Sequence, residues 1–150
     1  MEGPGGRIES AGELHFHKIS PGLPGIETRL PLMFSEGVVK GRIDLQTFVA
    51  ITATNVAKLY GLHPRKGTIA VGADADLALW DAERTVTLEH AMLHDNGDYT
   101  PYEGREITGW PVLSMVRGTV VWNDGEFTAP TGHGEFLHRG ISSAVSTAAA

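Results

Sequence analysis

A chain of 150 residues with 41% hydrophobic content is long enough for one domain with a buried core. Its net charge of −6, with Lys and Arg scattered along the chain, argues against a nucleic-acid or anionic-membrane surface, and the lack of cysteine excludes a disulfide scaffold, a thiolate metal site and a Cys nucleophile. No apolar run approaches the ~20 residues of a membrane helix and the polar, glycine-rich start is unlike a signal peptide, so a soluble, cytoplasmic protein is expected.

Up to Gly25 the chain is punctuated by Gly3, Gly5, Gly6, Gly12, Gly22 and Gly25 and by Pro4, Pro21 and Pro24, which predicts a loop over residues 1–25. From Ile26 to Val38 the residues Ile26, Leu30, Met33, Phe34 and Gly37 recur at helical spacing, with Glu27, Arg29 and Glu36 outward. A second helix follows Asp44, whose carboxylate suits an N-cap, and carries the stripe Leu45, Phe48, Val49, Thr52, Val56 and Leu59. A break is expected near Thr54-Asn55, with Thr54 re-capping the second piece and Gly61 ending it in the left-handed conformation.

After the turn-forming Pro64-Arg65-Lys66-Gly67 the period changes to extended. Thr68 to Val71 reads as extended, Asp76 to Asp81 as a strand apolar on both faces and therefore buried, and Thr85 to Thr87 as a short strand. The polar stretch from His90 to Gly109 reads as an excursion. Val112 to Met115 and Gly118 to Trp122 are two further extended runs, and Asn123-Asp124-Gly125 supplies a tight turn into Glu126-Phe127. The chain thus divides into a loop (1–25), helices (26–62), a small β domain with an excursion at 90–110 (63–128) and a tail (129–150) whose end, from Ser142, is expected to be disordered.

Three stretches in this order resemble the C-terminal part of dihydropyrimidinases and D-hydantoinases, members of the amidohydrolase superfamily. They are Gly25 to Leu30 with Phe34 to Val38, Thr52 to Leu62, and His63 to Leu77. A fourth, Asp98-Tyr99-Thr100-Pro101-Tyr102-Glu103-Gly104 followed by Gly109-Trp110-Pro111, is similar to a loop of the hydantoinase branch. The resemblance implies an α+β fragment: the terminal helices of a (β/α)₈ barrel, part of a small composite β-sandwich, and a C-terminal tail. A barrel alone takes about 250 residues, so this chain does not contain one. It also implies a parent enzyme that hydrolyses the amide bond of cyclic ureides with two divalent metal ions, zinc above all, which lower the pKa of bound water and polarise the carbonyl. The parent is expected to be a homo-oligomer, tetrameric by family habit. The chain is then the C-terminal third of such an enzyme, downstream of the metal ligands, expected to be inactive alone and prone to associate through unpaired strand edges.

No catalytic and no metal-binding residue is therefore expected in this chain. By resemblance, Pro21, through its main chain, and Gly22 border the substrate's cyclic imide. Proline there keeps the carbonyl acceptor and loses the amide donor. His15-Phe16-His17 has the spacing of a metal pair but is flanked by Gly12, Glu13 and Lys18, which suits a solvated loop. His90 and His94, four apart, have helical metal spacing but no third ligand beyond Asp95 or Asp98, so packing or an interface is expected. Asp74 and Asp76 are read as bonding backbone amides of their own turn, not as an acid/base pair. Trp80, Trp110 and Trp122 are expected to pack under the β unit. Two alternatives stand beside the hydrolase: a non-catalytic interaction protein on the same scaffold, and another branch such as dihydroorotase or allantoinase.

Overall fold

In the computed structural model, which describes residues 22–142, helical segments lead and a four-stranded antiparallel sheet follows. Helix α1 (Ile26–Met33) runs directly into a π-helical stretch, Phe34–Val39. Pro31 lies inside α1, three residues before the junction. It lacks an N–H and its ring crowds the carbonyl one turn back, and the Phe34 N–H faces both the Leu30 and Pro31 carbonyls.

The next helical run comprises α2 (Leu45–Val49), a π-helical stretch (Ala50–Thr54) and α3 (Asn55–Leu59). Asp44 caps it as its sequence suggests, Oδ1 accepting the Thr47 N–H at 2.7 Å. The expected break at Thr54-Asn55 is absent. Thr54 keeps helical backbone angles and caps nothing; its hydroxyl donates to the Gly67 carbonyl at 2.8 Å, while the Thr52 hydroxyl donates back to Phe48 at 2.7 Å. Threonine hydroxyls turned onto carbonyls loosen a helix without ending it. Gly61 does end the run, with φ 69°, and its carbonyl accepts the Gly140 N–H at 2.8 Å, so the tail crosses the end of α3.

Strands β1 (Leu77–Thr87), β2 (Glu106–Val116), β3 (Thr119–Asn123) and β4 (Glu126–Phe127) pair in sequence order. The two strands read from Asp76–Asp81 and Thr85–Thr87 are one strand with a bulge between Asp81 and Thr85. There Asp81 Oδ1 accepts the N–H groups of Glu83 and Arg84 at 3.0 and 3.1 Å. The expectation that β1 is buried on both faces does not hold, because Leu79 is half exposed; an antiparallel meander leaves one face open. Nor is Thr68–Val71 a strand. It is folded into turn bonds, Ala73 N–H to Ala70 and Asp74 N–H to Arg65, and Ile69 and Val71 project into solvent.

Both tight hairpins have two consecutive residues at positive φ, Arg117 and Gly118 (46° and 80°) and Asp124 and Gly125 (41° and 98°), the pattern whose twist matches paired strands. The second was legible in Asn123-Asp124-Gly125. The first, with arginine in a left-handed position, was not.

Two clusters join helices to sheet. Leu88, Ile107 and Trp110 are buried and flanked by Leu32, Val86, Met92 and Tyr102. Phe34, Phe48 and Trp80 form the other, with ring centroids 5.2–5.9 Å apart. Trp80 and Trp110 thus tie the sheet to the helices, and Trp122 meets the edge of His94 at 4.8 Å. No helix among the described residues is long and apolar enough to cross a membrane.

Candidate functional site

The polar excursion between β1 and β2 is built on a closed stem. The Leu88 N–H donates to Arg105 at 2.9 Å and the Gly104 N–H to Leu88 at 2.8 Å, so the loop between them projects from the end of the sheet. It folds over the first turn of α1 and is held there by side chains that lie far apart in sequence. Glu27 is the main anchor: one carboxylate oxygen accepts the His94 N–H at 2.8 Å and the other lies 2.9 Å from His94 Nδ1. Tyr102 closes against Gly25, where an added Cβ would lie 3.9 Å from Cε2. Within the loop, Glu103 accepts the His90 N–H at 2.8 Å, and His90 Nε2 lies 2.9 Å from the Gly97 carbonyl.

The π-helical stretch supplies the second row of contacts. Ser35 Oγ accepts the Thr108 N–H at 3.1 Å, and Glu36 accepts from Lys40 and Arg105, both at 2.7 Å, with Arg42 at 3.4 Å. The hydrogen bond from Lys40, then that from Arg105, hold the Glu36 carboxyl down at about 2. A folded-state value below the ordinary one means that these contacts stabilise the fold fully above pH 4.5 and lose their effect as pH falls to about 2. Glu36→Gln is therefore expected to lower the melting temperature at pH 6, with the gap from wild type closing between pH 4.5 and 2; a gap independent of pH would refute the ionic account.

A third group of charges locks the entrance to β1. Lys66 Nζ sits 2.8 Å from Asp74 and also bonds Asp76; Arg65 Nε reaches Asp74 at 2.9 Å, and the Arg117 N–H donates to Asp76 at 2.9 Å. The reading of Asp74 and Asp76 as acceptors for amides of their own turn is thereby corrected. They grip Lys66, and the one side-chain-to-amide bond comes from the turn between β2 and β3. The Lys66 hydrogen bond draws the Asp74 carboxyl down. Burial pushes Asp76 up but is outweighed by Lys66 and the Arg117 N–H, and Lys66 is raised because the two carboxylates outweigh its burial.

His15, His17 and Pro21 lie outside the described residues. Gly22 is exposed, with φ 96° and open space where a Cβ would stand, so its main chain faces solvent at the approach to α1. His90 and His94 do not converge. A short 3₁₀ turn (His90–Met92) and extended backbone at Leu93 separate them, and each faces a different partner. The Glu27, Glu36 and Lys66 contacts escaped sequence reasoning because their partners are 67, 69 and 10 residues away; only Glu36 with Lys40, four apart on a helix, left a local trace.

Chemically, the described residues offer exposed main chain at Gly22 and a loop braced on α1 by Glu27. Among the described residues no three His, Cys, Asp or Glu side chains group as metal ligands, so these residues do not fit the ions that the resemblance implies.

Comparison with known proteins places this arrangement. Residues 38–122 match the model of the amidohydrolase family. The chain is 49% identical over 126 residues to a D-hydantoinase of Geobacillus stearothermophilus, covering 83% of this chain and 26% of that protein. It is 44% identical over 124 residues to a D-phenylhydantoinase of Escherichia coli O1:K1, covering 83% and 27%. The crystal structure of D-hydantoinase from Bacillus sp. AR9 superposes with a TM-score of 0.80 at 47% identity, over 83% of this chain and 27% of that one. The chain thus spans about a quarter of the length of the relatives it matches.

Proposed function

The chain belongs to the amidohydrolase family, whose model covers more than half of it, and from that premise we propose that it is the supporting portion of a hydantoinase-type hydrolase that opens the amide bond of a cyclic ureide. One observation carries the reading: identity of 44–49% over 124–126 residues to hydantoinases, accompanied by a TM-score of 0.80. In this reading α1 to α3 are the last helices of a (β/α)₈ barrel, the four-stranded sheet is part of a composite β-sandwich, and residues 129–150 are a tail. The reaction centre, with two divalent ions, lies outside residues 22–142. Gly22, and Pro21 before it, contribute main-chain atoms at the edge of the substrate, and the docked excursion keeps that edge in place. The whole enzyme acts as a cytoplasmic homo-oligomer on a small cyclic ureide, without nucleic acid or membrane.

The test exchanges the matched segment of the Geobacillus stearothermophilus D-hydantoinase for residues 22–142 of this chain. The chimera should keep its metal and hydrolyse hydantoin within about an order of magnitude of the parent. The 150-residue chain, assayed alone with zinc, should give no turnover. A folded, metal-loaded chimera without turnover, or hydrolysis by the chain alone, would overturn the proposal.

A further inference from the structure

The projecting loop carries Asn96-Gly97, a dipeptide with a chemistry of its own beside the scaffold contacts of the loop. Both residues are exposed. Glycine lacks the Cβ that would hinder approach of its backbone nitrogen to the preceding side-chain amide. The chain has two other asparagines, Asn55, followed by valine in α3, and Asn123, the last residue of β3. Regular structure and bulkier neighbours oppose the same approach there.

Around Asn96 the structure adds a second feature. The Gly97 nitrogen, which would have to attack, donates its hydrogen to Asp95 Oδ1 at 2.8 Å. The Gly97 carbonyl is held at 2.9 Å by His90 Nε2. The N–H is thus fixed on a carboxylate, and a neighbouring negative charge disfavours the loss of a proton.

We infer that Asn96 is a site of spontaneous deamidation and that Asp95 restrains it. In the reaction the Gly97 nitrogen gives up its proton and forms a bond to Asn96 Cγ, the bond from Cγ to Nδ2 breaks, and ammonia leaves with that proton. The resulting succinimide is opened by water at either carbonyl. Opening at Cγ yields aspartate, and opening at the main-chain carbon yields isoaspartate. No oxidant or reductant is involved. The product adds a negative charge, and the iso form adds a backbone carbon between two fixed points, His94 on Glu27 and Gly97 on His90. The reaction therefore loosens the loop from α1, whatever the hydrolase reading comes to.

The experiment incubates the purified chain at neutral pH and follows each asparagine-containing peptide by mass spectrometry, with chromatography to separate isoaspartate. Asn96 should convert while Asn55 and Asn123 stay intact, and Gly97→Ala should slow it severely. Asp95→Ala should convert Asn96 about fivefold faster or more, the factor that one charge about 4 Å away produces in water. Asp95→Asn, which keeps an acceptor and removes the charge, should fall between. In urea the Asp95 variants and wild type should converge, which separates folded-state restraint from sequence. Conversion at Asn96 no faster than at Asn55 and Asn123 would overturn the site. An Asp95→Ala or Asp95→Asn rate equal to or below wild type would overturn the restraint, and Asp95→Asn carries that test if the alanine variant does not fold.

Discussion

Gly109→Ala destabilises this chain by about 2–5 kcal/mol, a large share of the roughly 5–15 kcal/mol that holds a domain together. Two costs combine. Gly109 has φ 96°, where a side chain costs about 1–2 kcal/mol. Its missing side chain also leaves the space that Phe34 fills: an added Cβ would stand 2.5 Å from Phe34 Cε1 and closer still to Cδ1. Phe34 is stacked on Trp80 at 5.2 Å and set edge-on to Phe48 at 5.5 Å, so it has no room to retreat, and overpacking of this kind costs about 1–3 kcal/mol. Gly125, with φ 98° and nothing near its virtual Cβ, is the control that carries strain alone. Urea unfolding of both alanine variants separates the terms. If Gly109→Ala is no worse than Gly125→Ala, the contact between α1's π-helical end and β2 is not as described.

Leu88→Ala has the second largest effect, about 2–5 kcal/mol, as expected for a buried leucine whose cavity cannot collapse. Leu88 is 0% exposed and packs with Ile107, at 1%, and Trp110 where the excursion's stem meets the sheet and α1. Its main chain also closes the stem, through bonds to Arg105 and Gly104. The loss is therefore expected in two measurements: a lower urea midpoint, and faster hydrogen exchange at His94 and Gly104 than at the amides of β3. Leu79→Ala, on the half-exposed face of β1, should cost under about 1 kcal/mol. Equal effects of Leu79→Ala and Leu88→Ala would place the core elsewhere.

The docked excursion was partly legible beforehand. The Thr100-Pro101-Tyr102-Glu103-Gly104 motif marked the excursion and pointed to the hydantoinases, among which are relatives 44–49% identical over 124–126 residues of this chain. Nothing in the sequence tied Glu27 to His94 or Glu36 to Arg105, because such pairs depend on where the chain returns to itself. The error over Asp74 and Asp76 has the same origin. Their own turn was visible in the sequence, whereas the bonds from Lys66, in the turn before it, and from Arg117, in a distant hairpin, were not.

By itself the sequence determined what local forces decide: the cap at Asp44, the helix stop at Gly61 and the Asp124-Gly125 turn. Each depends on residues within a few positions of one another, so composition and spacing suffice. Tertiary structure alone decided that two strands are one bulged β1, that Thr54 holds Gly67 instead of capping a helix, that Thr68–Val71 is folded into turns, and that the excursion docks on α1. For the bulged strand, Thr54 and the excursion the hydrogen-bond partner lies on another segment, and the partner that satisfies a backbone group or a carboxylate is chosen only when those segments meet.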